Sequence, residues 1–334
     1  MSVERQDRTA LPAEASQRRR VAGEDVARKE KAPQPHRVRL SRRTREALAA
    51  YGFLTPWLVG LLGLTLGPML YSLYLSFTRY NLLSPPQWRG LDNYRAMLDD
   101  PRFLHSVTVT LKYALVAVPG ILVVSLALAM VLNQGIRFLP FYRASFYLPS
   151  LVGASVAVSL LWRQMFSSDG VFNAALAVFG IQGRTWIGDP QTALYTLMLL
   201  SIWTFGAPMI IFLAGLRQVP RELYEAAEMD GAGAVRRFFS VTLPMLSPLI
   251  FFNVLLTTVN ALQAFTPAYV VSNGTGGPAD STLFYTLYLY QRGFTRLDMG
   301  YAAAMAWVLV VVLAVFTAVM FATARFWVHY GDER

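Results

Sequence analysis

Four polar residues punctuate one strongly apolar run: Asn253, Thr257, Asn260 and Gln263. The first three fall at i, i+4 and i+7, so a helix would carry them on one face. An amide offers donors and acceptors together, and a line of such groups can replace the water around a polyhydroxyl solute. Aromatic faces supply the other half of sugar recognition, by stacking on the apolar side of a ring. Trp203, Phe205, Tyr301 and Trp307 lie in neighbouring apolar runs and are the candidates. The same polar groups also suit hydrogen bonding between packed helices in an apolar medium, and spacing alone leaves both readings open.

Other chemistries find no residues to carry them. His36, His105 and His329 stand too far apart in sequence to suggest a metal set. The chain has no cysteine, hence no thiol or disulfide chemistry. No nucleophile–base arrangement stands out, and no GxxxxGK[ST] run is present to cradle a nucleotide. The expectation is no catalytic residue, no metal and no cofactor bound by this chain.

The elements that must position the amide line are membrane spans. Of the 334 residues 54% are hydrophobic and only 15% charged, against about 25% charged in an ordinary soluble domain. Spanning a bilayer takes about 20 mostly apolar residues. Six segments qualify, at about 51–77, 106–132, 144–166, 192–214, 249–271 and 301–326. The expected fold is an all-α integral membrane protein with six transmembrane helices. Prolines 56, 68, 119, 208 and 267 fall inside spans, where neighbouring helices can satisfy the freed carbonyls.

Charge sets the direction. Residues 1–46 hold 13 Lys/Arg and 7 Asp/Glu, including the run Arg18-Arg19-Arg20. With both termini inside, the cytoplasmic segments carry 21 Lys/Arg and the outer loops 7, which favours that topology by the positive-inside rule. Residues 1–45 are expected to be a disordered basic cytoplasmic tail rather than a cleavable signal, and residues 46–334 the membrane domain. The net charge of +10 reads as cytoplasmic flanks facing a lipid bilayer, not as a nucleic-acid surface. Lys112 and Arg163 are the only charges near the spans, close enough to the outer surface to snorkel. No Asp or Glu lies deep in any span, which argues against an ion-driven secondary carrier. A membrane-embedded enzyme would need clustered His, Asp and Glu, and the loops do not supply them.

The cytoplasmic segment 215–248, between the fourth and fifth spans, has a pattern of its own. Pro220 suits a helix start, Glu222 and Glu225 complement the helix dipole, and Gly231 is placed to end the helix. About ten residues make a helix roughly 15 Å long. Ala226 and Ala227 keep part of its surface small, and Leu243-Pro244 breaks the chain before the fifth span.

The run Glu225-Ala226-Ala227, then Gly231, then Val241-x-Leu243-Pro244 resembles the EAA loop of binding-protein-dependent ABC importer permeases, with Val241 where Ile is commoner. Glu225 to Ala232, Glu-Ala-Ala-x-x-Asp-Gly-Ala, is typical of the carbohydrate branch. Arg89-Gly-Leu-Asp-Asn-Tyr94, Gly276-Gly277-Pro278 and Phe294 with Gly300-Tyr301-Ala302-Ala303-Ala304 are similar to the first permease of the maltose and glycerol-phosphate systems. The likeness covers about residues 50–328.

The resemblance implies the type I ABC importer permease fold and a multi-pass subunit of the bacterial cytoplasmic membrane. It implies that Glu225, Ala226, Ala227, Asp230, Gly231, Ala232, Leu243 and Pro244 couple the chain to an ATPase. It also implies partners: a second, different permease, two copies of a cytoplasmic ATPase that bind ATP and Mg, and an extracytoplasmic solute-binding protein. The solute would be a sugar or oligosaccharide. The runner-up is glycerol phosphate or another non-sugar solute, and an anion would call on Arg163.

Overall fold

The computed structural model describes residues 42–135 and 137–328. The expected tail as far as Ser41, with Arg18–Arg20 and His36, lies outside the described residues, as do His329 and Arg334. The chain divides into two compact units after Thr65. In the first, helix α1 (Arg42–Val59) runs into a π-helical stretch, Gly60–Leu66. Pro56 sits inside α1, where its ring and missing N–H disturb the α ladder. Gly60 and Gly63 then tolerate the wider turn. Residues Arg42–Val59 are helical, as their Arg, Glu and Ala favour.

The second unit opens with α2 (Gly67–Ser76), a two-residue hairpin of β1 (Thr78–Arg79) and β2 (Gln87–Trp88), and α3 (Asp92–Leu98). Thr78 pairs with Trp88 in antiparallel register. Asn93 and Tyr94 hold this corner together. The Asn93 amide donates to the carbonyls of Ser76 and Thr78 at 2.8 and 2.9 Å, and the Tyr94 hydroxyl meets Ser76 Oγ at 2.8 Å. Gly300 approaches so closely that a Cβ there would stand 2.1 Å from the Thr78 carbonyl oxygen, and its N–H donates to Tyr80 O at 3.1 Å.

Then follow α4 (Pro101–Asn133), α5 (Leu139–Val152), α6 (Val156–Met165), α7 (Val171–Val178), α8 (Ala193–Trp203) and α9 (Gly206–Leu216). The loop between α9 and the next span holds α10 (Arg221–Met229), α11 (Ala234–Arg237), a π turn at Phe238–Thr242 and α12 (Leu243–Met245). The chain ends in α13 (Ser247–Leu262), α14 (Thr266–Val271), α15 (Tyr285–Tyr290) and α16 (Met299–Trp327).

Among the described residues, four stretches are long and apolar enough to cross a membrane: Ala50–Ser76, Pro101–Asn133, Ser247–Val271 and Met299–Trp327. The third and fourth expected spans are bent pairs instead, and counting each pair as one span makes six. α5 and α6 meet at 97°, so the continuous helix expected at 144–166 is corrected to two. Pro149 lies inside α5, and Ser155 caps α6 through its side chain. Gly153 admits Thr204 so closely that a Cβ would come within 2.2 Å of Thr204 Cγ2.

α8 and α9 meet at 42°. A break in a span frees backbone groups that lipid cannot satisfy. Here two serines from other helices take them. Ser150 Oγ donates to Thr204 O at 3.0 Å and accepts from the Ala207 N–H at 2.9 Å, while Ser125 Oγ donates to Phe205 O at 2.8 Å.

α4 is the axis of the second unit. Its half nearer Pro101 buries Val109, Tyr113, Ala114 and Ala117 with Leu197, Ala261, Leu262 and Tyr288. The half nearer Asn133 buries Ala129 and Leu132 against Met209, Phe212 and Leu246.

Candidate functional site: an amide line and a loop helix

The loop 215–248 folds as its residues dictate. Pro220 has extended backbone at the N-cap of α10. The helix ends at Gly231, whose φ of 77° is the left-handed conformation that glycine adopts without Cβ strain. The Gly231 N–H donates to Glu228 O and the Ala232 N–H to Ala227 O, both at 2.9 Å. That pair of bonds is a Schellman motif, which satisfies carbonyls the helix end would otherwise orphan. The inner face is anchored by Tyr224, whose hydroxyl meets Thr242 Oγ1 at 3.0 Å. Glu228 and Arg237 form an ion pair at 3.0 Å.

The outer face of α10 is free to meet another surface. Glu222, Glu225, Ala226 and Met229 are exposed, Met229 at 89%. Asp230 and Gly231 are exposed beside them, Ala227 is half-buried, and Ala232 is buried under the turn. Leu243 and Pro244 are half-buried and start α12. The eight coupling candidates therefore divide: Glu225, Ala226, Asp230 and Gly231 present surface, while Ala227, Ala232, Leu243 and Pro244 support it.

The amide line divides too. Asn253 is buried, with its amide donating to Leu249 O one turn back at 2.9 Å. Thr257 is half-buried, and Asn260 and Gln263 are exposed. Gln263 stands at the break between α13 and α14, where Thr286 Oγ1 takes up the Ala264 carbonyl at 2.5 Å. Among the described residues the side chains of Asn260 and Gln263 have no hydrogen-bond partner. Helix–helix glue therefore describes none of the three amides among the described residues: Asn253 bonds back to its own helix, and Asn260 and Gln263 have no partner.

Of the four aromatic candidates, Trp203 is 37% exposed and lies 6.3 Å from the Trp162 ring. Phe205 packs edge-on against Phe146, and Trp307 is half-buried. Tyr301 belongs elsewhere: it is 2% exposed and its hydroxyl donates to Asp100 at 2.9 Å. Stacking on a solute is not open to a ring so enclosed. Arg163, the cation an anionic solute would call on, donates instead to Asn273 and the Val270 carbonyl at the end of α14.

Asp100 is the residue that sequence reasoning missed. It caps α4 by accepting from the Arg102 and Phe103 N–H groups at 3.0 and 3.3 Å. Its other oxygen accepts from Tyr288 at 2.5 Å and from Tyr301, with Arg292 at 3.9 Å. The Arg292 guanidinium lies 3.8 Å over the Tyr301 ring. Burial alone would raise the Asp100 carboxyl, but the bonds from Tyr288, Tyr301 and the two N–H groups outweigh it and hold the group below the usual range. Burial and Asp100 together push the Tyr288 hydroxyl up to about 12. Arg102 adds a bidentate pair to Asp280 at 2.8 and 2.7 Å, so the ends of α4, α15 and α16 are clamped to one another. Asp100-Pro101 signals a helix cap in the sequence, but its tyrosine partners lie far along the chain and leave no local trace.

Comparison with known proteins agrees with this architecture. The chain is 48% identical over 291 residues to the Probable ABC transporter permease protein YesP of Bacillus subtilis (strain 168), covering 86% of this chain and 94% of that one. It is 36% identical to the Lactose transport system permease protein LacF of Rhizobium radiobacter, over 77% and 88%. It is 37% identical to the Sulfoquinovosyl glycerol transport system permease protein SmoG of Agrobacterium fabrum, over 75% and 82%. In fold it matches a chain of a bacterial alginate ABC transporter solved with a pentasaccharide-bound periplasmic protein, at a TM-score of 0.73 and 20% identity, over 86% of this chain and 97% of that one. That likeness supports the type I permease architecture. Residues 101–328, from the Asp100-capped helix through the α10 loop to the last span, match the family Binding-protein-dependent transport system inner membrane component, and the chain belongs to it as a multi-pass transport subunit.

Proposed function

We propose that this chain is one permease of an ATP-driven importer and forms half of the translocation path for a sugar or oligosaccharide. The observation that carries the solute class is the pair Asn260 and Gln263, exposed and unpartnered among the described residues, within an apolar span. A polar side chain in a membrane needs a hydrogen-bonding neighbour, and a hydroxyl-rich solute in a water-filled path supplies one. The printed names of LacF and SmoG, which concern lactose and a sulfoquinovosyl glycerol, support a glycosidic solute. Thr257 and Trp203 flank the same route.

Energy comes from outside the chain. α10 is the coupling element: Glu225 and Ala226 seat against a cytoplasmic ATPase, and the Schellman turn at Gly231 makes the helix move with the loop as one piece. ATP and Mg bind on two ATPase copies, and an extracytoplasmic binding protein delivers the solute. The second permease packs beside this one to complete the path. Both termini lie in the cytoplasm of a bacterium, with residues 1–45 as a basic tail.

Two variants test the reading in the assembled importer. Gln263→Ala with Asn260→Ala raises the solute concentration for half-maximal transport about tenfold or more, by loss of hydrogen bonds worth about 0.5–1.5 kcal/mol each. Unchanged solute dependence removes these residues from the path. Ala226→Trp places bulk on the exposed face of α10, and transport falls away while the chain still inserts. Wild-type transport by Ala226→Trp rejects α10 as the coupling element.

A further inference from the structure

A groove of ≈ 490 Å³ lies between α4 and the start of α8, and the chemistry of its walls changes along its length. Toward the Pro101 end it is lined by His105, Lys112 and Gln191, and deeper in the span by Leu115, Leu194 and Met198. The helix α4 of 33 residues is about 50 Å long at 1.5 Å per residue, against a hydrocarbon core of about 30 Å. Centring one on the other puts Lys112 about 7 Å inside the hydrocarbon boundary, where its four-carbon stem lets the ammonium snorkel up to that boundary.

Lys112 is exposed and has no ion-pair partner among the described residues. The acidic side chains of the loops beside the groove are already taken: Asp280 by Arg102 at 2.7 Å, and Asp189 by Arg184 at 3.6 Å. His105 Nε2 meets the Asp280 carbonyl at 3.1 Å and fixes the rim. The groove therefore presents one uncompensated cation above an apolar slot.

It is not the translocation path. α4 buries Tyr113, Ala114 and Ala117 in the same cluster as Ala261 and Leu262 of α13. At 100° per residue Lys112 and Leu115 leave α4 on the side away from that cluster, and Asn260 and Gln263 likewise leave α13 on the side away from it. The groove and the amide line thus face opposite ways.

We propose that this groove is a binding site for one anionic phospholipid of the outer leaflet, its phosphate on Lys112 and its acyl chains along Leu115, Leu194 and Met198. The apolar slot selects a lipid over a free phosphate, and the lysine selects an anionic headgroup over a zwitterionic one.

Native mass spectrometry of the full chain, offered equal phosphatidylglycerol and phosphatidylcholine, tests this. A single basic residue near the surface is worth about 1 kcal/mol toward an anionic lipid, or about fivefold retention of phosphatidylglycerol. Lys112→Gln brings the ratio to parity, and Lys112→Arg keeps the preference. Equal retention by the wild type, or an undiminished preference in Lys112→Gln, overturns the proposal. So does displacement of the lipid by millimolar inorganic phosphate, which makes the site one for the free anion. A Tyr195→Cys cross-link to the second permease in the assembled importer also overturns it, since the groove is then filled by protein.

Discussion

Asp100 shows how one side chain can hold a whole end of the molecule. Its carboxylate joins the cap of α4 to Tyr288 and Tyr301. Its acidity is held below the usual range, so its contribution is present above the unfolded-state value near 3.9 and is lost as pH falls through the lower folded value. Thermal stability of the solubilised chain should therefore decline as pH drops below about 4. Asp100→Asn should lower stability by about 1.5–3 kcal/mol at neutral pH and flatten that acid limb. An acid limb unchanged in Asp100→Asn would assign it to other carboxyls. The residue scale was partly legible in sequence. Gly231 was readable because a local turn explains it, and Gly300 in the Gly300–Ala304 pattern marked a place without marking its reason. The reason is the Thr78 carbonyl, 2.1 Å from where a Cβ would stand.

At the scale of elements, the breaks matter more than the spans. Hydropathy located six apolar segments because burial in lipid demands a contiguous run. It could not foresee the 97° and 42° bends, since a bend is allowed only where another helix takes the freed backbone groups. Ser150 does this for α8 and α9 from a neighbouring helix, and Gly206 lets α9 approach that helix, α5, with a Cβ there only 2.2 Å from the Phe146 carbonyl oxygen. Ser150→Ala should cost about 1–3 kcal/mol through the stranded Ala207 N–H, and Gly206→Ala about 1–3 kcal/mol through overpacking. Thermal melts of the purified chain measure both. Melts that match the wild type would mean that the break is held by something other than this contact.

For the whole molecule, the open question is direction. The proposed topology sets α10 inside and α7 outside, on opposite sides of the bilayer. A cysteine at exposed Ala226 should resist a membrane-impermeant maleimide in intact cells and react in inverted vesicles. One at Phe179, 80% exposed just after α7, should do the reverse. Labelling of both from one side would overturn the six-span count, because the two loops are separated by the single bent pair α8–α9 and lie on opposite faces only if that pair crosses fully. The cysteine-free chain makes the experiment clean.

Sequence alone determined the class of the protein, its apolar segments, the helix of the cytoplasmic loop and the position of the amides. Each of these rests on local physics: lipid selects long apolar runs, glycine ends a helix, and 3.6 residues per turn aligns Asn253, Thr257 and Asn260. Tertiary structure decided what those residues are free to do. It satisfied Asn253 within its own helix and left Asn260 and Gln263 open. It withdrew Tyr301 from the solute and gave it to Asp100. The physical reason is the same in each case. Whether a polar group in a membrane is glue or binding surface depends on whether another group of the chain already meets its hydrogen bonds: Asn253 finds its partner one turn back, Tyr301 finds Asp100 far along the chain, and Asn260 and Gln263 find none among the described residues.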